Sequence, residues 1–473
     1  MNTFIKNWSL LSVSSVVQQV ASFFCMIRIA RLLAPEGFGS YLLILTVVAV
    51  TTLVASLGLP QIITRIIARR GSVLKIVKTI SWPLIIMAVL TNFGLGLYLF
   101  FFNGLSEWIV LIAAVVLSMS QVLWMILESF AFGKQQMEFS SILGSASSLV
   151  WLLFVFMIPH AHFSLTLIVA GFSTIQLLRS LAYGILEQQS GYFRKNNNSS
   201  EIENSEERRS IFLQSFPLFG TGLLSLLTTQ IPIMFLGHFS GAKEVGYYGI
   251  GNKLMMPLMT LTNMLIAAAY PLLSKHYVDN RDQFNKYVRK LFLAIPFIGI
   301  IFGLTIGLFS KEIVVLVFGK NFSPAIEPFF IQIWIILIIV SLSFIASLFL
   351  ATNNENLMVK LSIFNGLVIG GSSYVGSHYG AIGLAVGSLI SFVVGFSLHW
   401  YFLNKLIGRI FQPLFLISIV VPFFILSMVG FLFINTSLPL RIVIMFGILT
   451  LFVLFHKKSI MELFCDLRAI LSS

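Results

Sequence analysis

Apolar stretches follow one another along the chain from Trp8 to Phe455, with only short polar breaks between them. A helix of about 20 apolar residues is long enough to cross a hydrocarbon core of about 30 Å. The pattern therefore predicts an all-α polytopic membrane protein with about 14 transmembrane helices. The predicted spans are 8–33, 38–68, 76–102, 107–131, 138–160, 163–188, 211–238, 246–274, 284–309, 327–351, 356–378, 380–403, 411–434 and 437–455.

The most polar part of the chain, RKNNNSSEIENSEERR, separates six predicted spans from the next six. The two halves resemble each other, since Gly39 and Tyr41 align with Gly246 and Tyr248. Because each half has an even number of spans, the repeat is parallel, with a pseudo-twofold axis along the membrane normal. The predicted domains are an N-lobe at 1–190, a cytoplasmic linker at 191–210, a C-lobe at 211–405, two appended helices at 406–455 and an amphipathic cytoplasmic tail at 456–473.

Composition agrees with membrane insertion. The mean hydropathy is +0.96, and 10% of the residues are charged, against about 25% in soluble domains. The net charge of +13 comes from basic residues scattered over short loops, so nucleic acid is not an expected partner. With the N-terminus in the cytoplasm, most of the 30 lysines and arginines fall on the cytoplasmic side, which predicts that both termini are cytoplasmic.

Polar side chains inside the predicted spans are few, and such groups usually face a cavity or a partner. In the first span Ser14, Gln18, Ala21, Cys25 and Arg28 recur at intervals of four and three residues, which places them on one helix face. One interpretation is a helix that lines a watery cavity. The other is close helix packing, with Arg28 reaching toward the membrane surface.

Lys253 lies about 10 Å inside the eighth span, with Asn252 and Asn263 on an adjoining face. We expect this lysine to be a cation of the cavity, the alternative being a side chain that reaches to the surface. Arg65 and Arg179 lie near the inner ends of the second and sixth spans. Each is either a cavity residue or an ordinary anchor on the cytoplasmic side.

The positions of the acidic residues also carry information. All aspartates lie in predicted loops or in the tail, while Glu128 and Glu187 lie near the inner ends of spans. No carboxylate is therefore predicted at mid-membrane, and a cationic interior favours an anionic substrate. The histidines lack metal-ligand spacing, and the sequence has no phosphate-binding loop, nucleophile elbow or paired carboxylates. We expect no metal, no cofactor and no enzyme.

Five segments carry a resemblance to a known family: ARLLAPEGFGSYLLI, SLGLPQIITRIIAR, SGAKEVGYYGIGNKL, VLVFGKNFSPAI and HYGAIGLAVG. In this order they resemble the polysaccharide and O-antigen flippases of the multidrug/oligosaccharidyl-lipid/polysaccharide exporter superfamily. The resemblance implies two six-helix lobes around a central cavity. It also implies movement of undecaprenyl-pyrophosphate-linked oligosaccharide repeat units from the inner to the outer leaflet of a bacterial inner membrane, by alternating access and without ATP hydrolysis.

The resemblance implies site residues as well. In related lipid II flippases, cations of the first, second and eighth helices gather around the pyrophosphate, and Arg28, Arg65 and Lys253 have those positions here. Lys253 departs from the pattern, because an arginine contacts phosphate bidentately whereas a lysine acts as a point charge. The expected partners are the lipid-linked glycan, the bilayer, and the polymerase and chain-length machinery of polysaccharide or lipopolysaccharide synthesis. The coupling ion, H⁺ or Na⁺, is not given by the sequence.

Two other functions are consistent with the same spans. A multidrug antiporter of the same superfamily would share the fold, but it should carry membrane-buried carboxylates. A membrane polysaccharide polymerase or ligase usually has a large outer loop, and the predicted outer loops are short.

Overall fold

The computed structural model of the chain describes residues 2–70, 73–103, 107–189, 205–408, 439–443, 446–447 and 450. Over these residues the backbone is helical, with short turns and 3-10 helices between the α-helices and with no strand. The predicted all-α fold is confirmed. The α-helices are α1 (Asn2–Ser56), α2 (Leu59–Arg70), α3 (Val73–Asn103), α4 (Trp108–Gly133), α5 (Glu138–Met157), α6 (Leu165–Gln189), α7 (Ser205–Thr229), α8 (Ile231–Ser240), α9 (Ala242–Asp279), α10 (Arg281–Leu308), α11 (Ser310–Phe318), α12 (Ile326–Ala351), α13 (Glu355–Gly376) and α14 (Gly380–Ile407).

Within the described residues, 8 segments are long and apolar enough to cross a membrane. Two of them, Ser9–Ser56 and Glu355–Ile407, each overlap two predicted spans. The chain is therefore a multi-pass membrane protein. The predicted linker up to residue 204, most of the appended helices and the tail at 456–473 lie outside the described residues.

The second predicted span, 38–68, is not one helix. The structure divides it at Leu57 and Gly58, whose φ angles of 51° and 69° separate α1 from α2. A Cβ at Gly58 would lie 2.7 Å from the backbone nitrogen of Phe219 and 2.8 Å from the backbone oxygen of Ser215, both on α7. Glycine therefore serves both the positive φ angle and the close approach of the two backbones.

The chain divides into two compact units, Met1–Gly246 and Tyr247–Ser473. In the first unit α4 packs against α6 and α2, and α1 packs against α5. One buried cluster of this unit joins Ile67 of α2 to Trp124 of α4 and Tyr183 of α6. Burial of this apolar face fixes the orientation of the short helix α2.

In the second unit α14 packs against α12 and α13, and α10 packs against α12. Phe284, Phe344, Phe349 and Leu403 belong to its core cluster. The helices α7 and α8 belong to the first unit, although most of α7 and all of α8 lie in the predicted C-lobe at 211–405. The lobe boundaries stay a prediction.

The predicted repeat is visible in the backbone conformation. Aligning Gly39 with Gly246 pairs Ala34 with Gly241. Ala34 has φ 57° and ψ 177°, and Gly241 has φ 86° and ψ 170°. The same conformation, which is rare for a residue with a side chain, breaks α1 at Ala34, between the first two predicted spans, and separates α8 from α9 at Gly241.

A second pair of loops also repeats. The Gln136 amide donates to the Ala131 carbonyl at 3.0 Å, and the Asn354 amide donates to the Phe349 carbonyl at 2.8 Å. In both loops the preceding residue has a positive φ angle, of 60° and 57°. These are Schellman-type helix ends, one after α4 and one after α12. Two separate loops thus support the internal repeat.

Candidate functional site

Arg28 is half-buried on α1 and binds the end of α5. Its Nε donates to the Val155 carbonyl at 2.9 Å, and its Nη2 donates to the Ile158 carbonyl at 3.0 Å. The guanidinium carbon lies 4.9 Å from the centre of the Phe156 ring. Carbonyls at a helix C-terminus lack helical partners and carry partial negative charge. The end of α5 therefore holds the Arg28 guanidinium in one orientation.

Ser14 and Gln18, which share a helix face with Arg28, also pack against α5. Ser14 Oγ donates to the Ser141 carbonyl at 2.9 Å and accepts from Ser145 Oγ at 2.9 Å. Gln18 Nε2 donates to Ser14 Oγ at 2.8 Å, and a Cβ at Gly144 would lie 2.8 Å from that nitrogen. This interface therefore fits close helix packing, which was one of the two interpretations of this helix face. Gln18 itself is half-buried.

Arg65 is exposed on α2, where its Nη2 donates to Gln214 Oε1 of α7 at 2.5 Å. Gln214 does not stand out in the sequence, because it belongs to a predicted span that begins only three residues earlier. The contact could not be predicted from local spacing, since the two residues are 149 positions apart.

Arg179 lies in the interface between α6 and α4. Its guanidinium carbon is 3.9 Å from the centre of the Trp124 ring, which also contacts Tyr183 edge-on with ring centres 5.6 Å apart. The Arg179 Nε atom is buried and has no hydrogen-bond partner among the described residues. Glu128, on α4, accepts from Ser140 Oγ at 2.9 Å. Arg179 is thus a cation packed on an aromatic ring inside the first unit.

Two of the described ion pairs have a buried cation, and the sequence pattern did not predict them. Lys134 pairs with Glu187 at the ends of α4 and α6, and the two side chains are only 3% and 7% exposed. In the second unit Arg441 donates to both carboxylate oxygens of Glu312, at 2.5 and 2.7 Å, and to the Leu308 carbonyl at 3.1 Å. Lys134 lies in the polar break between two predicted spans and Arg441 lies near the start of the last one, and cations at such positions are usually solvated.

The remaining candidate residues lie on α9. Lys253 is half-buried and makes no ion pair with any described residue. Asn252 is exposed, and the side chain of Asn263 lies outside the described part of the structure. Nearby, Gln332 Nε2 donates to the Tyr248 carbonyl at 3.0 Å.

These positions place the candidates on different interfaces. In the first unit Arg28 and Gln18 both face α5, whereas Arg65 contacts α7 and Arg179 contacts α4. The described contacts therefore do not join the three arginines directly. Lys253 and Asn252 belong to the second unit. Among the described residues, no group of histidine, cysteine, aspartate or glutamate side chains could hold a metal ion.

Fold and candidate residues together define a polytopic all-α membrane protein with cations inside apolar helices. Residues 4–277 match the family described as "Polysaccharide biosynthesis protein", and the chain belongs to this family. It is similar to the capsular polysaccharide biosynthesis protein CapF of Staphylococcus aureus, with 23% identity over 429 residues that cover 85% of this chain and 100% of the relative. The expected membership of a polysaccharide biosynthesis family is thereby confirmed.

Solved structures show the same fold. The inward closed conformation of the lipid II flippase MurJ matches with a TM-score of 0.67 and 14% identity, over 95% of this chain and 99% of that protein. An outward-facing multidrug resistance MATE family transporter of the MOP superfamily matches with a TM-score of 0.51 and 14% identity, over 86% of this chain and 96% of that protein. At these identities the likeness establishes the fold.

Proposed function

We propose that this chain is a flippase that moves undecaprenyl-pyrophosphate-linked oligosaccharide repeat units from the inner to the outer leaflet of the bacterial inner membrane by alternating access. Its family membership and its fold support this proposal. The protein forms and breaks no covalent bond in this process. Both termini lie in the cytoplasm, and the delivered units are passed to polysaccharide polymerase and chain-length machinery.

One observation supports an anionic substrate. Arg28 and Lys253 lie in helices of an apolar chain, and neither forms an ion pair with a described carboxylate. A cation within a membrane span costs about 2.5–3.5 kcal/mol on insertion scales. A bound diphosphate would offset that cost by charge-assisted hydrogen bonds.

The candidate residues then have distinct roles. Arg28, held by the α5 carbonyls, presents its remaining guanidinium nitrogen to phosphate oxygen, and Lys253 supplies a point charge. Arg65 is exposed and extends the cationic surface, whereas Arg179, packed on the Trp124 ring, adds positive charge inside the first unit. Gln18, Asn252 and Asn263 provide amide hydrogen bonds to sugar hydroxyls or phosphate.

The test is to delete the gene in a strain without a second flippase and to locate the lipid-linked repeat units. Loss of a flippase leaves completed units on the inner leaflet, where an external glycan-binding probe does not reach them until the membrane is permeabilised. Re-expression of the chain should restore external labelling.

Other outcomes identify the rival functions. A missing polymerase leaves single units that an external probe labels in intact cells. A missing drug antiporter changes dye efflux and leaves the distribution of lipid-linked glycans unchanged. Either result would reject the flippase proposal.

A further inference from the structure

Gln332 is a buried amide on the apolar helix α12 of the second unit. The residue is only 3% exposed, and α12 belongs to a segment that is apolar enough to cross a membrane. Its Nε2 atom donates to the Tyr248 carbonyl of α9 at 3.0 Å. Its Oε1 atom is buried and has no hydrogen-bond partner among the described residues. Because a buried polar atom without a partner costs free energy, a hydrophobic side chain would pack here at lower cost.

Gly251 of α9 makes room for this amide. A Cβ at Gly251 would lie 1.5 Å from Gln332 Oε1 and 3.3 Å from Phe329 Cδ2. Any residue other than glycine would therefore displace the amide from α9. The two positions are complementary, since one has no side chain and the other supplies a polar side chain that fills the space.

The internal repeat shows that this arrangement is particular to the second unit. Aligning the Schellman-type ends of α4 and α12 pairs Gln332 with Ala114. The glycine alignment of the two halves pairs Gly251 with Ile44. Ile44 and Ala114 are both fully buried, and their helices α1 and α4 pack against each other. Because an apolar side chain and a small residue suffice in the first unit, packing at this place does not require an amide.

Gln332 contacts the part of α9 that leads to Lys253. Tyr248 and Gly251 lie five and two residues before this lysine. Pro257, which is inside α9, lies four residues after it. Proline has no amide hydrogen to donate to the carbonyl four residues earlier, so the Lys253 carbonyl lacks its helical partner and α9 is weakened there. The contact with α12 therefore holds the helix on one side of Lys253, while Pro257 loosens it on the other.

The lysine, like the amide, has no counterpart in the first unit, because the same alignment pairs Lys253 with Thr46. We propose that Gln332 is a positioning residue for Lys253. By holding the first turns of α9 against α12, the amide gives the Lys253 ammonium a fixed direction at the point where Pro257 weakens the helix. The inference rests on the proposed function, in which Lys253 supplies a point charge to the diphosphate of the substrate.

The first experiment measures the exposure of position 253 without the substrate. Lys253→Cys is introduced into a full chain that also carries Cys25→Ala and Cys465→Ala, and the purified protein is placed in phosphatidylcholine nanodiscs. The rate of reaction with methanethiosulfonate ethylammonium reports how far the new thiol is open to water. Gln332→Met nearly keeps the side-chain volume and removes the amide. It should change the rate by at least about threefold, because one buried hydrogen bond no longer holds α9.

Three further observations keep this test apart from misfolding. Ser341→Ala is the matched control and should leave the rate unchanged, since Ser341 is a buried residue of α12 whose hydroxyl donates to the Leu337 carbonyl of the same helix at 2.9 Å. Gln332→Met should melt close to its parent, because it also removes an acceptor that has no partner among the described residues. Gly251→Ile/Gln332→Ala copies the apolar pair of the first unit and takes the place of Gln332→Met if that chain does not fold.

The second experiment measures glycan export in cells. Gln332→Met should lower export, whereas Ser341→Ala should export normally at equal expression. An unchanged labelling rate in Gln332→Met would overturn the inference, and so would a changed rate with normal export. No reaction at position 253 in any chain would also overturn it, because Lys253 would then not face a water-filled cavity. The labelling rates do not involve the substrate, so they test the positioning role separately from the flippase proposal, which the location of the lipid-linked units tests.

Discussion

Gly39 and Gly246 each lie in close contact with the backbone of the segment that contains the other. A Cβ at Gly39 would lie 1.7 Å from the Ala242 carbonyl oxygen, and a Cβ at Gly246 would lie 2.1 Å from the Pro35 carbonyl oxygen. The alignment of the two halves pairs Gly39 with Gly246 and Pro35 with Ala242. The contact is therefore reciprocal, as a local pseudo-twofold axis requires, and glycine is needed on both sides of it.

This contact predicts opposite effects for two glycine substitutions. Gly39→Ala should destabilise the protein by about 1–3 kcal/mol, because its methyl group has no room and the two segments must separate. Gly94→Ala, on α3, should be neutral or stabilising by up to about 1 kcal/mol, because no atom lies within 4 Å of its added Cβ and alanine favours helix. Melting temperatures of the purified variants measure both. Equal melting temperatures for the two would contradict the close contact.

Arg28 should affect both stability and transport. Arg28→Met removes two hydrogen bonds to the α5 carbonyls and should lower stability by about 1.5–3 kcal/mol. It should also impair glycan export, whereas Arg28→Lys should retain part of both properties because one donor group remains. Lys243→Met, at an exposed position on α9, is the control. Normal export by folded Arg28→Met protein would remove Arg28 from the proposed site.

The order of the helices and the internal repeat could be predicted from the sequence, because apolar length and a short glycine motif are local signals. The helix that packs against the face of α1 formed by Ser14, Gln18 and Cys25 could not be predicted. Residue spacing shows which side chains share a helix face, but it does not show which helix covers that face. In the structure α5 covers it.

The partners of the charged residues could not be predicted from the sequence either. Lys134 lies in the polar break between the predicted spans 107–131 and 138–160, where a solvated cation is the usual expectation. It is buried because Glu187, 53 positions away, is brought to it by the packing of α4 on α6. The break at Leu57 and Gly58 was also missed, since the apolar stretch continues on both sides of it.

Lys253 should matter for transport and not for folding. Lys253→Met should insert normally and keep or raise the melting temperature, because it removes from an apolar helix a charge that has no ion pair among the described residues. Its glycan export should fall, and Lys253→Arg should retain most of it. The control is Lys243→Met, an exposed position ten residues earlier on α9, which should export normally. If Lys253→Met matches this control in export at equal expression, Lys253 does not bind the substrate.

The pair formed by Lys134 and Glu187 should show strong coupling. Lys134→Met leaves a carboxylate buried without its partner and should cost about 3–5 kcal/mol. Glu187→Leu should be destabilising for the same reason. The double variant should be more stable than either single variant, because no charge is left unpaired. Additive losses in a double-mutant cycle would show that the two side chains act independently.

The stability that Glu312 contributes should depend on pH. The Arg441 guanidinium donates to this carboxylate and holds its pKa below the ordinary value of 4.5. Folding therefore favours the ionised form, so the stabilisation is fully present above about pH 4.5 and is lost as the pH falls through the lower pKa of the folded protein. Glu312→Gln keeps the shape of the side chain and removes the charge.

The measurement compares melting temperatures of the wild type and Glu312→Gln at about pH 7 and about pH 3.5. At neutral pH the wild type should melt at the higher temperature, and the difference should shrink in acid because the wild-type carboxylate begins to take up a proton. Glu355→Gln, at an exposed position in the first turn of α13, should differ little from the wild type at either pH. A difference for Glu312→Gln that stays constant from neutral to acidic pH would show that the charge of Glu312 does not stabilise the fold through Arg441.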